Sequence, residues 1–178
     1  MYVFIYFNES IFNTLLYIIN MNNVISFTKV ALPYGWLGNM SPHPVVYDSN
    51  NYKTTEALFQ CMRFKRFPEV QKEIRECKSP MGAKMIAKKY KHLLVKDDFK
   101  DDIVNMKLCL ELKVQQHTQL KEQLLNTNNS ILIEDCTKRS SSASALYWGA
   151  KWDKETQQWV GNNILGALWK EIRNKLQN

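Results

Sequence analysis

The residues best suited to chemistry lie in the run Thr54-Thr55-Glu56-Ala57-Leu58-Phe59-Gln60. Thr54 or Thr55 offers the hydroxyl of a helix N-cap, which sets Glu56 in the first turn. The positive end of the helix dipole favours a carboxylate there. A carboxylate fixed in that way can stabilise a developing cation or take a proton from water. Upstream, Tyr34-Gly35-Trp36-Leu37-Gly38-Asn39-Met40-Ser41-Pro42 forms a glycine-rich loop. Gly35 and Gly38 permit tight turns or close backbone approach to a ligand, Trp36 offers a stacking face, and Asn39 offers hydrogen bonds to a sugar hydroxyl. Their spacing matches neither the dinucleotide fingerprint nor the P-loop. Downstream come Trp148-Gly149 and Gly161-Asn162-Asn163-Ile164-Leu165-Gly166. A fixed acid, an aromatic platform and two glycine turns suit a planar ring joined to a sugar phosphate. For the phosphate, Ser79-Pro80 opens a helix whose free amides can hold an anion. Lys84, one turn in, and Arg63 and Lys65 from the preceding helices can reach the same charge. Each feature also has a plainer reading. An acid in a first turn is worth about 0.3–1 kcal/mol as a cap alone, exposed lysines are ordinary, and Trp159 and Trp169 read as core.

The elements that must hold these residues follow from periodicity. Residues 24–29 and 45–53 read as strands, the second broken by a turn at 48–51. Helical spacing starts at Thr55 and runs to about Phe67. Pro68 suits the first position of a second helix, with Val70, Ile74 and Cys77 on one face. A third helix follows Ser79-Pro80 and is lined by Met81, Met85, Ile86 and Tyr90. Asp97 or Asp98 caps the longest helix, which reaches about Leu125 with Ile103, Met106, Leu110, Val114 and His117 facing inward. A buried strand at 131–134 precedes a mobile, Ser-rich loop at 138–144, beside Trp148. A hairpin turn falls at 153–156. The last helix starts near Asn162 or Asn163 and buries Leu165, Leu168, Trp169, Ile172 and Leu176. The result is an α+β, mainly α, domain with a few short antiparallel strands.

At 178 residues, 45% apolar and 23% charged, the chain suits one globular domain. A net charge of +7 points to anionic partners. No basic run is interleaved with aromatics as in a single-strand channel, so a phosphorylated small molecule ranks above nucleic acid. Cys61, Cys77, Cys109 and Cys136, and His43, His92 and His117, lack the spacing of a metal knuckle. The expectation is a metal-free protein with reduced cysteines in the cytoplasm. Residues 1–20 are apolar but interrupted by Asn8, Glu9 and Asn13. With no basic start or small-residue cleavage site they do not read as a secretory signal, and their clean apolar stretch is too short to span a bilayer. They are expected to form an N-terminal extension to a domain at 21–178.

Taken in order, these segments resemble the YbiA-like family, also called NADAR for its association with NAD and ADP-ribose. The resemblance runs from about Ser26 to Leu176. It rests on Tyr-Gly-x-x-x-Asn at 34–39, Thr-x-Glu-x-x-Phe-Gln at 54–60, Arg63-Phe64, Ser79-Pro80-Met81 with Ala83-Lys84, and Met106 with Lys113. Trp148-Gly149, Gly161-x-Asn163 with Leu165-Gly166, and Glu171-Ile172-Arg173 complete it. The resemblance implies an N-glycosidase without a cofactor. Two activities are described in the family: hydrolysis of ribosylamino bonds in the first two riboflavin-pathway intermediates, and removal of ADP-ribose from modified guanine. The family's essential glutamate matches Glu56, with Lys84 as the candidate for a second route through a Schiff base. Substrate contacts are expected from Tyr34, Gly35, Trp36 and Asn39, from Arg63, Ser79 and Phe99, and from Trp148, Gly149 and Asn163. The chain departs from the family pattern at Ala145, where an acid is usual; Glu134, Asp135 and Asp153 are the nearby carboxylates that could stand in. Phe99 takes the place of a usual tryptophan. The riboflavin intermediates are the first expectation and ADP-ribosyl-guanine the second. A binding module for ADP-ribose-like ligands is the alternative from another class, ahead of a purely structural protein.

Overall fold

The computed structural model describes residues 23–177, so the apolar segment 1–20 lies outside the described residues. The described chain begins with β1 (Val24–Phe27), makes a 3-10 turn (Gly35–Leu37), and enters a hairpin of β2 (Val45–Tyr47) and β3 (Asn50–Tyr52). Thr54, in extended conformation, then stops the strand and starts a helix, because its Oγ1 accepts the Ala57 amide proton at 3.2 Å. The helix it starts, α1 (Thr55–Arg63), is buried from Thr55 to Met62. It is the axis around which α2 (Pro68–Glu76), α3 (Pro80–Lys89) and α4 (Asp102–Gln116) pack. After α5 (Thr118–Leu125), β4 (Ile131–Glu134) returns to pair with β1. A short α6 (Ala143–Trp148), the hairpin β5 (Lys151–Asp153) and β6 (Gln158–Val160), and α7 (Ile164–Gln177) complete the order. The core joins Leu37, Leu58, Phe64, Ile74, Leu110, Leu124 and Trp169. Among the described residues no helix is long and apolar enough to cross a membrane.

The α+β class is as expected, and so are the hairpins and the two Pro-started helices. Five local expectations are corrected. β1 and β4 pair in parallel, in register Val24 with Ile131, while the other two pairs are antiparallel. α1 ends at Arg63 rather than near Phe67: Phe64 already leaves the helical region (φ −101°, ψ 35°), and Pro68 holds Phe67 out of it (φ −130°, ψ 75°). α3 turns Met81 and Met85 outward, more than half exposed, and buries Ala83 and Ala87, whose small side chains let it lie close to α1. The long helix begins at Asp102, with Ile103 exposed, and breaks at His117 into α4 and α5. There the His117 Nε2–H donates to Pro44 O at 2.7 Å, a tertiary bond that the helical period does not announce. Residues 138–144, expected as a loop, instead carry the end of a 3-10 turn (Thr137–Arg139) and the start of α6, so Trp148 closes a helix.

Candidate functional site

Glu56 sits in the first turn of α1 with only 6% of its surface exposed. Its amide donates to Asn39 O at 3.0 Å, and Thr55 Oγ1 donates to the same oxygen at 3.1 Å. Gln60, one turn on, donates from Nε2 to Glu56 Oε1 at 3.0 Å. The carboxylate is thus fixed at its base and at one oxygen, leaving Oε2 for a reacting partner.

The glycine-rich loop is held carbonyl by carbonyl. Lys113 Nζ donates to Trp36 O and, at 3.0 Å, to Gly38 O. Trp169 Nε1 donates to Leu37 O at 2.9 Å, and the start of α1 takes Asn39 O. Gly35 is required here, since a Cβ would lie 2.4 Å from the carbonyl oxygens of Lys29 and Val30. Tyr34, exposed and left-handed at φ 59°, turns the chain into the loop. Trp36, expected as a stacking platform, leans edge-on against Trp169 with centroids 6.0 Å apart. Asn39 Nδ2 donates to Met106 Sδ at 3.0 Å, and its Oδ1 is a buried acceptor without a donor.

A second carboxylate reaches the site from β4. Glu134 is anchored at its amide by Asn163 Oδ1 (3.0 Å) and at its carbonyl by the Ala150 amide (2.9 Å). Gly149 lies flat against it, where a Cβ would stand 2.3 Å from Glu134 O. Arg139 pairs with its Oε1 at 3.1 Å. Burial pushes the Glu134 carboxyl above the usual carboxylate range, and the Glu56 charge pushes the same way against Arg139 and Lys84. The charges of Glu56 and Lys84 are therefore both felt at Glu134. Of the three carboxylates considered beside Ala145, only Glu134 has this relation. Asp135 Oδ1 accepts the Thr137 amide at 2.8 Å and Asp153 Oδ1 the Glu155 amide at 2.9 Å, so both are spent on turns.

The aromatic wall runs through residues on three elements. Trp148 meets Phe59 edge-to-face with centroids 5.6 Å apart. Arg63 lies over Phe59 at 4.5 Å and over Phe99 at 5.1 Å, and is held by an ion pair with Asp102. Arg63 also lines a cleft of about 390 Å³ with Lys65, Arg66 and Lys100, a cleft that Glu56 does not line. Ser79 caps α3, accepting the Gly82 amide at 3.0 Å, with Lys84 exposed one turn on. Asn163 has both ends of its amide on β4, since Nδ2 also donates to Leu132 O at 2.8 Å, so it braces the strand that carries Glu134. Sequence reasoning placed Gln60, Phe59 and Lys113 in the family motifs but gave these three contributors no role in the site. The first two stand at helical spacing from Glu56, and Lys113 stands in phase with buried Met106 and Leu110, which is the signal available for each.

A buried glutamate at a helix start, framed by a carbonyl-pinned loop, an aromatic wall and a second carboxylate, marks the candidate site of this α+β domain. The NADAR domain matches residues 26–177, and the chain belongs to that family. It is 29% identical over 157 residues to N-glycosidase YbiA of Shigella flexneri, covering 87% of this chain and 89% of the relative. N-glycosidase Npun_R5314 of Nostoc punctiforme is 26% identical over 159 residues, with 86% and 93% covered. The NMR structure of the Escherichia coli protein YbiA aligns with a TM-score of 0.71 at 28% identity, covering 87% of this chain and 85% of that one.

Proposed function

We propose that the protein is an N-glycosidase that hydrolyses the bond between the anomeric carbon and nitrogen of a phosphorylated ribosylamino heterocycle. The first two riboflavin-pathway intermediates are its preferred substrates and the cytoplasm its compartment. The observation that carries this reading is the placement of Glu56, buried, braced by Gln60 and open at one oxygen. The names of the N-glycosidase relatives support it.

In this mechanism the C–N bond breaks with its electron pair going to nitrogen, and the ribosyl group passes through an oxocarbenium-like state. The Glu56 carboxylate faces that charge and accepts a proton from the attacking water. The water oxygen bonds to the anomeric carbon, which restores neutrality at the sugar. Glu134, inclined by burial to keep its proton, delivers it to the departing nitrogen. Trp148, backed edge-on by buried Phe59, flanks the ring. The unpartnered Asn39 Oδ1 suits a ribose hydroxyl, and Lys84 with the start of α3 suits the phosphate.

Purified protein incubated with a ribosylamino-pyrimidine phosphate should release the free pyrimidine and ribose phosphate, resolved by chromatography. Release of ADP-ribose from ADP-ribosylated guanosine instead would move the substrate to the other branch. No product from either, with ADP-ribose still raising the melting temperature, would replace catalysis by binding.

A further inference from the structure

We propose that Lys113 is the positioning residue of this site, a buried ammonium that clamps the glycine-rich loop and thereby fixes the Asn39 carbonyl against the start of α1. Lys113 is fully buried, with 0% of its surface exposed. Its Nζ donates to Trp36 O, to Gly38 O at 3.0 Å and to Ser41 Oγ at 2.6 Å. An ammonium has three N–H donors, and all three are used. The oxygens belong to residues on both sides of Asn39, whose own carbonyl receives the Glu56 amide and the Thr55 hydroxyl. The path from Lys113 to Glu56 is therefore one loop residue long.

A cation buried without a counter-ion needs a reason. Among the described residues no carboxylate pairs with Lys113. The groups facing it are few. From the loop, His43 Nδ1 lies 3.0 Å from Ser41 Oγ. Burial, then the charges of Lys113 and His117, push His43 down to about 4, so near neutral pH it stands uncharged beside the Ser41 hydroxyl, which itself donates to Trp36 O at 3.2 Å. His117 donates to Pro44 O. α7 contributes the Trp169 ring, 5.9 Å from Nζ, while its Glu171 and Lys175 pair with Lys107 and Glu111 elsewhere on α4. α1 contributes Glu56, whose charge is felt at Cys109, one turn before Lys113. β2 brings the apolar Val45. The ammonium is thus held by oxygens alone, and it acts on the loop rather than on a charge.

This arrangement makes the clamp sensitive to protonation. A neutral amine keeps two N–H donors and turns a lone pair toward the third oxygen, so one loop contact becomes repulsive. Burial pushes Lys113 down to about 7, while the surrounding oxygens favour the charged form. Below that pH the three bonds hold; above it the loop loosens and the Asn39 carbonyl loses its fixed place under Glu56.

The test is a backbone-amide NMR titration of the full chain from about pH 6 to about pH 9, on wild type, Lys113→Met and Ser41→Ala. In wild type the Gly38 and Glu56 resonances should shift together with a midpoint near that of Lys113. Ser41→Ala removes one acceptor of the ammonium and should lower the midpoint by about one pH unit. Lys113→Met should abolish it; if that variant does not fold, wild type and Ser41→Ala decide. Flat resonances in wild type would overturn the proposal. So would a midpoint that ignores Ser41→Ala. The catalytic consequence rests on the N-glycosidase reading: kcat/KM should fall above the same midpoint. Shifts without turnover would leave the clamp standing and sink the glycosidase; turnover without shifts would do the reverse.

Discussion

Glu56 and Glu134 can serve different roles because their surroundings differ. Glu56 stands at a helix start, accepting from Gln60, whereas Glu134 is half-buried at a strand end and its carboxyl is pushed upward. A carboxyl pushed upward in this way is suited to donate a proton. Glu134→Gln should lower kcat by about 100-fold on an amine leaving group, and far less on a ribosyl substrate whose leaving group needs no proton. Equal losses on both would remove Glu134 as the acid. Gly149 is the residue against which Glu134 rests. Gly149→Ala should cost about 1–3 kcal/mol in chemical denaturation, because the added methyl meets backbone rather than a movable side chain. Lys84 is exposed one turn into α3, and under the proposed mechanism it serves the phosphate rather than attacking the sugar. Lys84→Met should therefore raise KM more than it lowers kcat, and borohydride added during turnover should leave no covalent adduct on the protein.

Elements were legible in the sequence where their signals are local. The Thr54 cap, Pro68 and Pro80 at helix starts, and the hairpin turn each act through neighbouring residues and stand where the sequence places them, the turn tightened from 48–51 to Asp48-Ser49. The break at His117 was hidden because residues 118–125 continue a helical pattern and the bond that interrupts it comes from Pro44. The same holds within the site. Glu56 is readable from its own first turn, but its nearness to Glu134 depends on β4 returning beside β1, a long-range pairing. Lys113 stands in phase with buried Met106 and Leu110, but its partners come from the loop that closes over it and only the fold supplies them. The loop's histidine leaves a signature in stability. His43 has a folded pKa of about 4 against 6.5 when unfolded, so between those values the unfolded chain binds the extra proton. Stability should drop as pH falls through that window. His43→Gln should flatten this slope in melting experiments relative to wild type; an unchanged slope would assign it to carboxylates alone.

Across the whole molecule, the +7 charge bears on how a phosphorylated substrate arrives. Raising ionic strength from about 0.01 M to about 0.15 M shortens the screening length from about 30 Å to about 8 Å. KM for the phosphorylated substrate should rise several-fold over that range with kcat unchanged, and a salt-independent KM would show that local contacts alone capture it. The fold serves the site by packing α2, α3 and α4 around α1, so the start of that helix is buried with the core. The measurement that bears most directly on this account is kcat of wild type and Glu56→Gln on the ribosylamino-pyrimidine phosphate, with melting curves of both. Glutamine retains an acceptor for Gln60 but cannot take a proton from water. The expected result is a loss of about 1,000-fold or more in kcat with the melting temperature nearly unchanged. A variant that folds and keeps turnover within about tenfold of wild type would contradict a mechanism centred on Glu56.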